Sequence, residues 1–237
     1  MKLFRMGVCA AAAFLVCGGW VVETRAAQPA FQHRDAVAAA SPLATVLYSQ
    51  PPSPAGGLIL SSLRDPDGSA LDQWAWDAFT LTSTRDITEI RWSGGHDPAR
   101  LGSGGPVANF TVSIYASIPA GTQPDLSGPP LVHYEVGGNA GETAGPVLGG
   151  VQMYDYTFVL PAAFQALGGT KYWVRIVAFQ PGPLPDWGLT KGTGGDGHYF
   201  RKRPGEFIYE TMTGDTSFSL LGPQIVGRKL YLPHISR

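Results

Sequence analysis

Apolar and polar residues alternate along much of this chain, with the period of a strand rather than that of a helix. In Phe110-Thr111-Val112-Ser113-Ile114-Tyr115 the residues Phe110, Val112 and Ile114 share one face, the face a half-buried strand turns toward a core. Tyr154 to Leu160 repeats the pattern with its aromatic residues on one side. Tyr172 to Val177 places Tyr172, Val174 and Ile176 on one face and Trp173 and Arg175 on the other. Ser217-Phe218-Ser219-Leu220 is a shorter case, and weaker runs predict strands at 45–49, 57–62, 74–82, 87–93, 131–136, 187–190, 198–202, 207–211 and 228–232. Turn-forming clusters separate them, among them Asp65-Pro66-Asp67-Gly68 and the glycine-rich segment from Gly192 to Gly197. The helical candidate is Ala162 to Leu167, closed by Gly168-Gly169, at most about two turns long. Many short strands with at most one short helix predict an all-β fold, an antiparallel sandwich or barrel. Its core is expected to gather Phe110, Val112, Ile114, Tyr156, Phe158, Val174, Ile176 and Phe218.

The chain begins differently. Lys2 and Arg5 precede an apolar run from Met6 to Val22, and Thr24-Arg25-Ala26 offers small residues at the −3 and −1 positions. That order is a secretory signal peptide over residues 1–26, with a retained membrane anchor as the alternative. The expected localisation is secreted or at the cell surface, with no membrane contact after cleavage. Cys9 and Cys17 both lie in this leader, so the mature chain carries no disulfide and no thiolate chemistry. Residues 27–43 read as an Ala-rich flexible leader, 44–222 as the β domain and 223–237 as a C-terminal strand or tail.

Composition narrows the function. Past Ala26 there are 14 basic and 17 acidic groups, a net charge of −3 with no basic block, which argues against nucleic acid. The 31 glycines and 20 prolines suit a turn-rich fold, while 11 % aromatic residues are too many for disorder.

A set of motifs recurs in order: Trp76-Asp77-Ala78-Phe79, Ile87 to Gly94, Phe110 to Tyr115, Tyr156 to Leu160, Leu167-Gly168-Gly169-Thr170-Lys171-Tyr172-Trp173-Val174, Trp187-Gly188 and Asp215 to Gly222. Their order resembles a group of secreted bacterial β-sandwich domains, jelly-roll-like, of unassigned role. The resemblance spans about residues 45–222 and implies a jelly-roll-like antiparallel sandwich, an export route and no catalytic residues. Its Asp-Asp-Phe strand has Ala78 in place of the second acid, so nothing that rests on that acid pair carries over.

Several residues have chemistry to offer. Asp65, Asp67 and Asp72, around Gly68, could hold a structural Ca²⁺, which takes clustered oxygens; the same residues also make an ordinary turn. No other cofactor is expected. Asp77 falls on the face of Phe79, and an inward carboxylate needs Arg91, a cation or backbone donors. Trp187 with Asp186, across the glycine-rich loop from His198 and Tyr199, has the makings of a sugar site, where rings underlie pyranose faces and polar groups bond hydroxyls. Trp173, on the face of Arg175, is a further ring expected at the surface, whereas Trp74, Trp76 and Trp92 are expected in the core. There is no His-Glu-x-x-His motif, no Gly-x-Ser-x-Gly elbow and no prominent carboxylate pair. The sequence therefore favours a secreted, non-catalytic module that binds a cell-surface or extracellular ligand. Polysaccharide is the favoured class. The alternatives are a structural protein that contacts other surface proteins and, as a minor one, a glycan hydrolase.

Overall fold

The structure is a computed structural model that describes residues 44–204 and 209–224. The expected signal peptide, the leader, the tail from 225 and the strand at 228–232 lie outside the described residues, as do positions 207 and 208 of the strand expected at 207–211. The described residues form the strands β1 (Ala44–Gln50), β2 (Leu58–Leu60), β3 (Ser62–Arg64), β4 (Trp74–Thr80), β5 (Arg85–His96), β6 (Asn109–Ala116), β7 (Val132–Glu135), β8 (Thr143–Leu148), β9 (Val151–Ala166), β10 (Lys171–Gln180), β11 (Trp187–Gly192), β12 (His198–Lys202), β13 (Glu210–Thr213), β14 (Asp215–Thr216) and β15 (Phe218–Pro223).

The strands make two sheets. One runs β1-β15-β5-β11-β14, with β2 on β11, β9 on the other edge of β5 and β8 on β9; the second runs β13-β12-β4-β10-β6-β7, with β3 on β10. The chain changes sheet between β2 and β3, β4 and β5, β5 and β6, β7 and β8, β9 and β10, β10 and β11, β11 and β12, and β13 and β14, while β6–β7, β8–β9 and β12–β13 stay within one sheet, so both layers of the sandwich are woven from the whole length of the described chain. The ladders are antiparallel except for β3 with β10.

The two inner faces share one core. Phe110, Val112, Ile114, Val174 and Ile176 from the second sheet meet Ile90, Trp92, Tyr156, Trp187 and Phe218 from the first. Phe158 packs on this core but is only half-buried. A bulge between Ile87 and Glu89 lets both Ile87 and Ile90 face inward despite their odd spacing.

Two expectations need correction. The residues expected to form a helix, 162–167, are instead the end of β9 up to Ala166: Phe164 pairs with Ile87, Gln165 with Asp86 and Ala166 with Arg85. Pairing and inward packing of Phe164 and Ala166 override the helix preference of the alanines. Trp173, expected at the surface, is 1 % exposed. The second sheet carries a further apolar cluster on its outer face, built from Trp76, Ala78, Tyr115, Trp173 and Phe200, with Leu126 and Tyr209 packed against it. Trp173 meets Phe200 edge-on at 5.2 Å and donates from Nε1 to Ser117 Oγ at 3.1 Å.

Candidate functional site

The segment from Asp186 to Tyr199 does not present the rings that its sequence suggested. Trp187 is fully buried, with its ring edge-on to Phe110 at 4.9 Å and to Tyr156 at 5.7 Å, and Nε1 donates to Tyr156 Oη at 2.9 Å. It fits there because Gly94 leaves the facing strand bare: a Cβ at 94 would overlap the indole and lie 2.7 Å from the Gly188 carbonyl oxygen. Tyr199 is also buried, among Ile59 and Ala75, and burial raises its phenol pKa. His198 is exposed, with Nδ1 3.1 Å from the Asp196 carbonyl oxygen.

Asp186 is buried and tied to other groups. Its Oδ1 accepts from Gln180 Nε2 at 2.7 Å and lies 2.8 Å from His96 Nδ1. Donation to this carboxylate places the His96 proton on Nδ1 and turns Nε2 away from it. The adjacent cavity, of about 150 Å³, is lined by His96, Pro98, Leu101, Tyr154 and nearby backbone-rich residues, with no serine or cysteine among them. The arrangement orients an imidazole beside a cavity that has no serine or cysteine among the described residues.

Asp65, Asp67 and Asp72 do not converge on a metal position. Asp65 and Asp67 are exposed, and Asp67 lies 3.6 Å from the Arg64 guanidinium. Asp72 spends both oxygens on its own turn: Oδ1 accepts from Arg64 N at 2.9 Å and Ser69 Oγ at 2.7 Å, and Oδ2 from Ser69 N at 3.0 Å. The Asp-Pro-Asp-Gly segment is thus a turn held by a side-chain acceptor.

Two other places bring chemistry together. The first is a groove of about 290 Å³ on the outer face of the second sheet. Register builds it: Trp76 pairs with Arg175 and with Phe200, Tyr115 with Trp173, and Lys202 with Trp74. These side chains share one face, and Tyr209 closes one side. Arg175 lies across two rings, 5.5 Å from Trp76 and 5.3 Å from Tyr115, at cation–π distance. Its Nη2 donates to Ser113 Oγ at 3.3 Å, while its buried Nε has no partner among the described residues. Burial lowers its pKa, against the pull of Tyr115 and Tyr209. The charged side chains lining the groove are Arg175 and Lys202, so it has no carboxylate of its own among the described residues.

The second place is a corner where Asp77, Asp196 and Asp215 each bring a carboxylate oxygen within 4.8 Å of the others. Asp77 is not paired with Arg91, which binds Glu89 instead. It uses backbone and hydroxyl donors: Oδ1 accepts from Ala78 N at 2.7 Å, and Oδ2 from Thr216 N and, at 2.9 Å, Thr216 Oγ1. Burial pushes its pKa up to about 7, the Thr216 and Ala78 bonds oppose that, and the nearby Asp215 charge adds to it.

Arg175 was visible in the sequence as an outward residue of β10. Tyr115, Lys202 and Tyr209 were not, because their shared face depends on which strands lie side by side. With the order β12-β4-β10-β6 known, period-2 counting from Trp76 reaches Tyr115, Arg175 and Lys202.

A family model described as a domain of unknown function, DUF7901, matches residues 46–194, more than half of the chain. No curated protein matches the chain.

Proposed function

The chain belongs to the DUF7901 family, and from that premise we propose a non-catalytic binding module, exported by the leader at residues 1–26, whose ligand is an acidic polysaccharide. The observation that carries this reading is Arg175: a half-buried guanidinium, sandwiched against Trp76 and Tyr115, with no partner for its Nε and no carboxylate in its groove among the described residues. A buried charge without a counter-charge is costly, and a uronate carboxylate or a sulfate ester would supply the missing anion in a geometry that suits guanidinium. Tyr209 and the edge of Trp74 offer apolar surface for the sugar ring. The export reading draws on the order of parts in the leader and on the resemblance to secreted bacterial sandwich domains.

A polysaccharide panel of neutral, uronate-containing and sulfated chains tests this with purified wild type, Arg175→Gln and Tyr209→Ala. Wild type is expected to retain acidic chains, to release them as salt rises, and to lose at least about tenfold in affinity on Arg175→Gln, the effect of removing one charge-assisted contact. Equal binding by a folded Arg175→Gln, or no retention of any acidic chain by wild type, would overturn the proposal.

A further inference from the structure

The row of side chains that builds the Arg175 groove runs on across β6 to β7. On the outer face of the second sheet His133 pairs with Ser113, Ser113 with Arg175, and Arg175 with Trp76. Hydrogen bonds join the row as well as register. Ser113 Oγ lies 2.9 Å from His133 Nδ1 and accepts from Arg175 Nη2 at 3.3 Å. On the far side of the imidazole, Nε2 lies 3.3 Å from Glu135 Oε1. Asn109 Nδ2 donates to the other carboxylate oxygen at 2.7 Å, which holds Glu135 in place beside the ring.

The chemistry of the partners fixes where the protons sit. A guanidinium can only donate and a carboxylate can only accept. Ser113 Oγ therefore receives a hydrogen from Arg175 and has its own to give, and Nδ1 of a neutral His133 accepts it. Nε2 then carries the hydrogen that meets Glu135. Histidine is the side chain that ordinarily changes charge between about pH 5 and pH 8. A second proton on His133 goes to Nδ1, and Ser113 Oγ then accepts from both sides. Imidazolium and guanidinium come to flank one oxygen.

The surrounding charges set the sign of the effect. The ionisable groups about His133 are Glu135 on its own strand, Arg175 beyond Ser113, and Tyr115, two positions from Ser113 on the same face of β6. β6 carries no other acid or base, and it is the strand paired with β7. Burial raises the Tyr115 phenol, which keeps it neutral. With His133 neutral, Glu135 is a negative charge beside Arg175 that repels an anionic chain. With His133 protonated, the imidazolium offsets Glu135, and its side chain, 43 % exposed, is open to a ligand.

We propose that His133 is a second anion contact of the Arg175 groove, tied to it through Ser113, and that the groove binds acidic polysaccharide more tightly as pH falls. The inference rests on the acidic-polysaccharide reading of that groove. Ser113, fully buried between the two cations, is the positioning residue.

The test is the affinity of the full chain for dextran sulfate and for polygalacturonate at about pH 5.5 and about pH 8, where sulfate and carboxylate are both ionised. Wild type, His133→Gln and Arg175→Gln are compared. Glutamine keeps polar atoms for Ser113 and Glu135 but takes up no proton. Wild type is expected to bind about three- to tenfold more tightly at the lower pH, the size of one added charge contact on a partly exposed side chain. His133→Gln should lose that difference and match wild type at the higher pH. Asp77, His96 and His198 are unchanged in this variant, so a slope that survives belongs to other groups. At about pH 8, nitrogen NMR should find the imidazole hydrogen of His133 on Nε2. Retention of neither polymer by wild type at either pH overturns the reading of the groove and this inference with it. Arg175-dependent binding that does not change with pH, a slope that survives His133→Gln, or a neutral His133 with its hydrogen on Nδ1 overturns this inference alone.

Discussion

Replacing Trp187 by alanine separates a core role from a ligand role. The side chain is fully buried, rests edge-on against Phe110 and Tyr156, and donates to Tyr156 Oη. A buried tryptophan removes about 150–250 Å² from water, which at about 25 cal/mol per Å² amounts to roughly 4–6 kcal/mol. Tyr156 would still hold its bond to Glu142 at 2.8 Å, so no buried hydroxyl is orphaned and little is added for the lost indole bond. Measured truncations of buried aromatics cost about 3–5 kcal/mol; with Gly94 and Gly188 holding the strand backbones close by, the space cannot collapse easily, and the upper part of that range is expected. For a domain of this size that corresponds to a fall in Tm of about 8–20 °C. Urea unfolding followed by far-UV circular dichroism measures it. A Trp187→Ala protein within about 0.5 kcal/mol of wild type, the ordinary scatter of surface substitutions, would refute the core assignment and return Trp187 to the list of ligand contacts.

Two further outcomes follow from the same packing and electrostatics. Phe158→Ala should cost less than Trp187→Ala, about 1–3 kcal/mol, because Phe158 is half-buried and its ring meets Tyr134 at 5.7 Å; the same urea experiment ranks the two, and the reverse order would contradict the burial described. Asp77 makes stability depend on pH. Its pKa is about 7 when folded and 3.8 ordinarily, so between roughly pH 4 and pH 7 the folded protein keeps a proton that the unfolded chain has released. The contribution is full at the acid end and is lost as pH rises, by at most about 1.4 kcal/mol per unit. Asp77→Asn should remove that slope when unfolding midpoints at about pH 5 and about pH 8 are compared with wild type; a wild-type protein that gains stability over this interval relative to Asp77→Asn would refute the direction.

How much of this was legible in the sequence depended on whether one or both faces of a strand are covered. Phe110, Val112 and Ile114 announce themselves because the alternation of β6 is marked by Thr111 and Ser113, and Val174 and Ile176 stand opposite Arg175 in the same way. β4 shows no such contrast: Trp74-Ala75-Trp76-Asp77-Ala78-Phe79 is apolar on both faces, apart from Asp77, because an aromatic cluster lies beneath it on the outside. The same cluster hides Trp173, which the alternation of β10 assigned to solvent. β8 escaped notice because Gly145 and Pro146 interrupt it, and its pairing with β9 shifts register between Ala144 and Val147. Asp77 was recognisable as an inward acid from its place two residues before Phe79. Its companions Asp196 and Asp215 come from two separate stretches of chain, and only the folding of both sheets brings them together.

The indole of Trp187 lies on bare strand at Gly94, and that makes two positions 93 residues apart a single steric unit. Glycine at 94 has no turn to make there; its lack of a side chain is the floor of the ring's compartment. Sequences that keep this fold must therefore change the two positions in step. A side chain at 94 requires a smaller ring at 187 and a shift of the Gly188 carbonyl, while a smaller residue at 187 with glycine kept at 94 leaves a hole. Within the family, the residue at position 94 thus reports the size of the ring at position 187, and a relative that departs from glycine at 94 while keeping tryptophan at 187 must run these two strands farther apart.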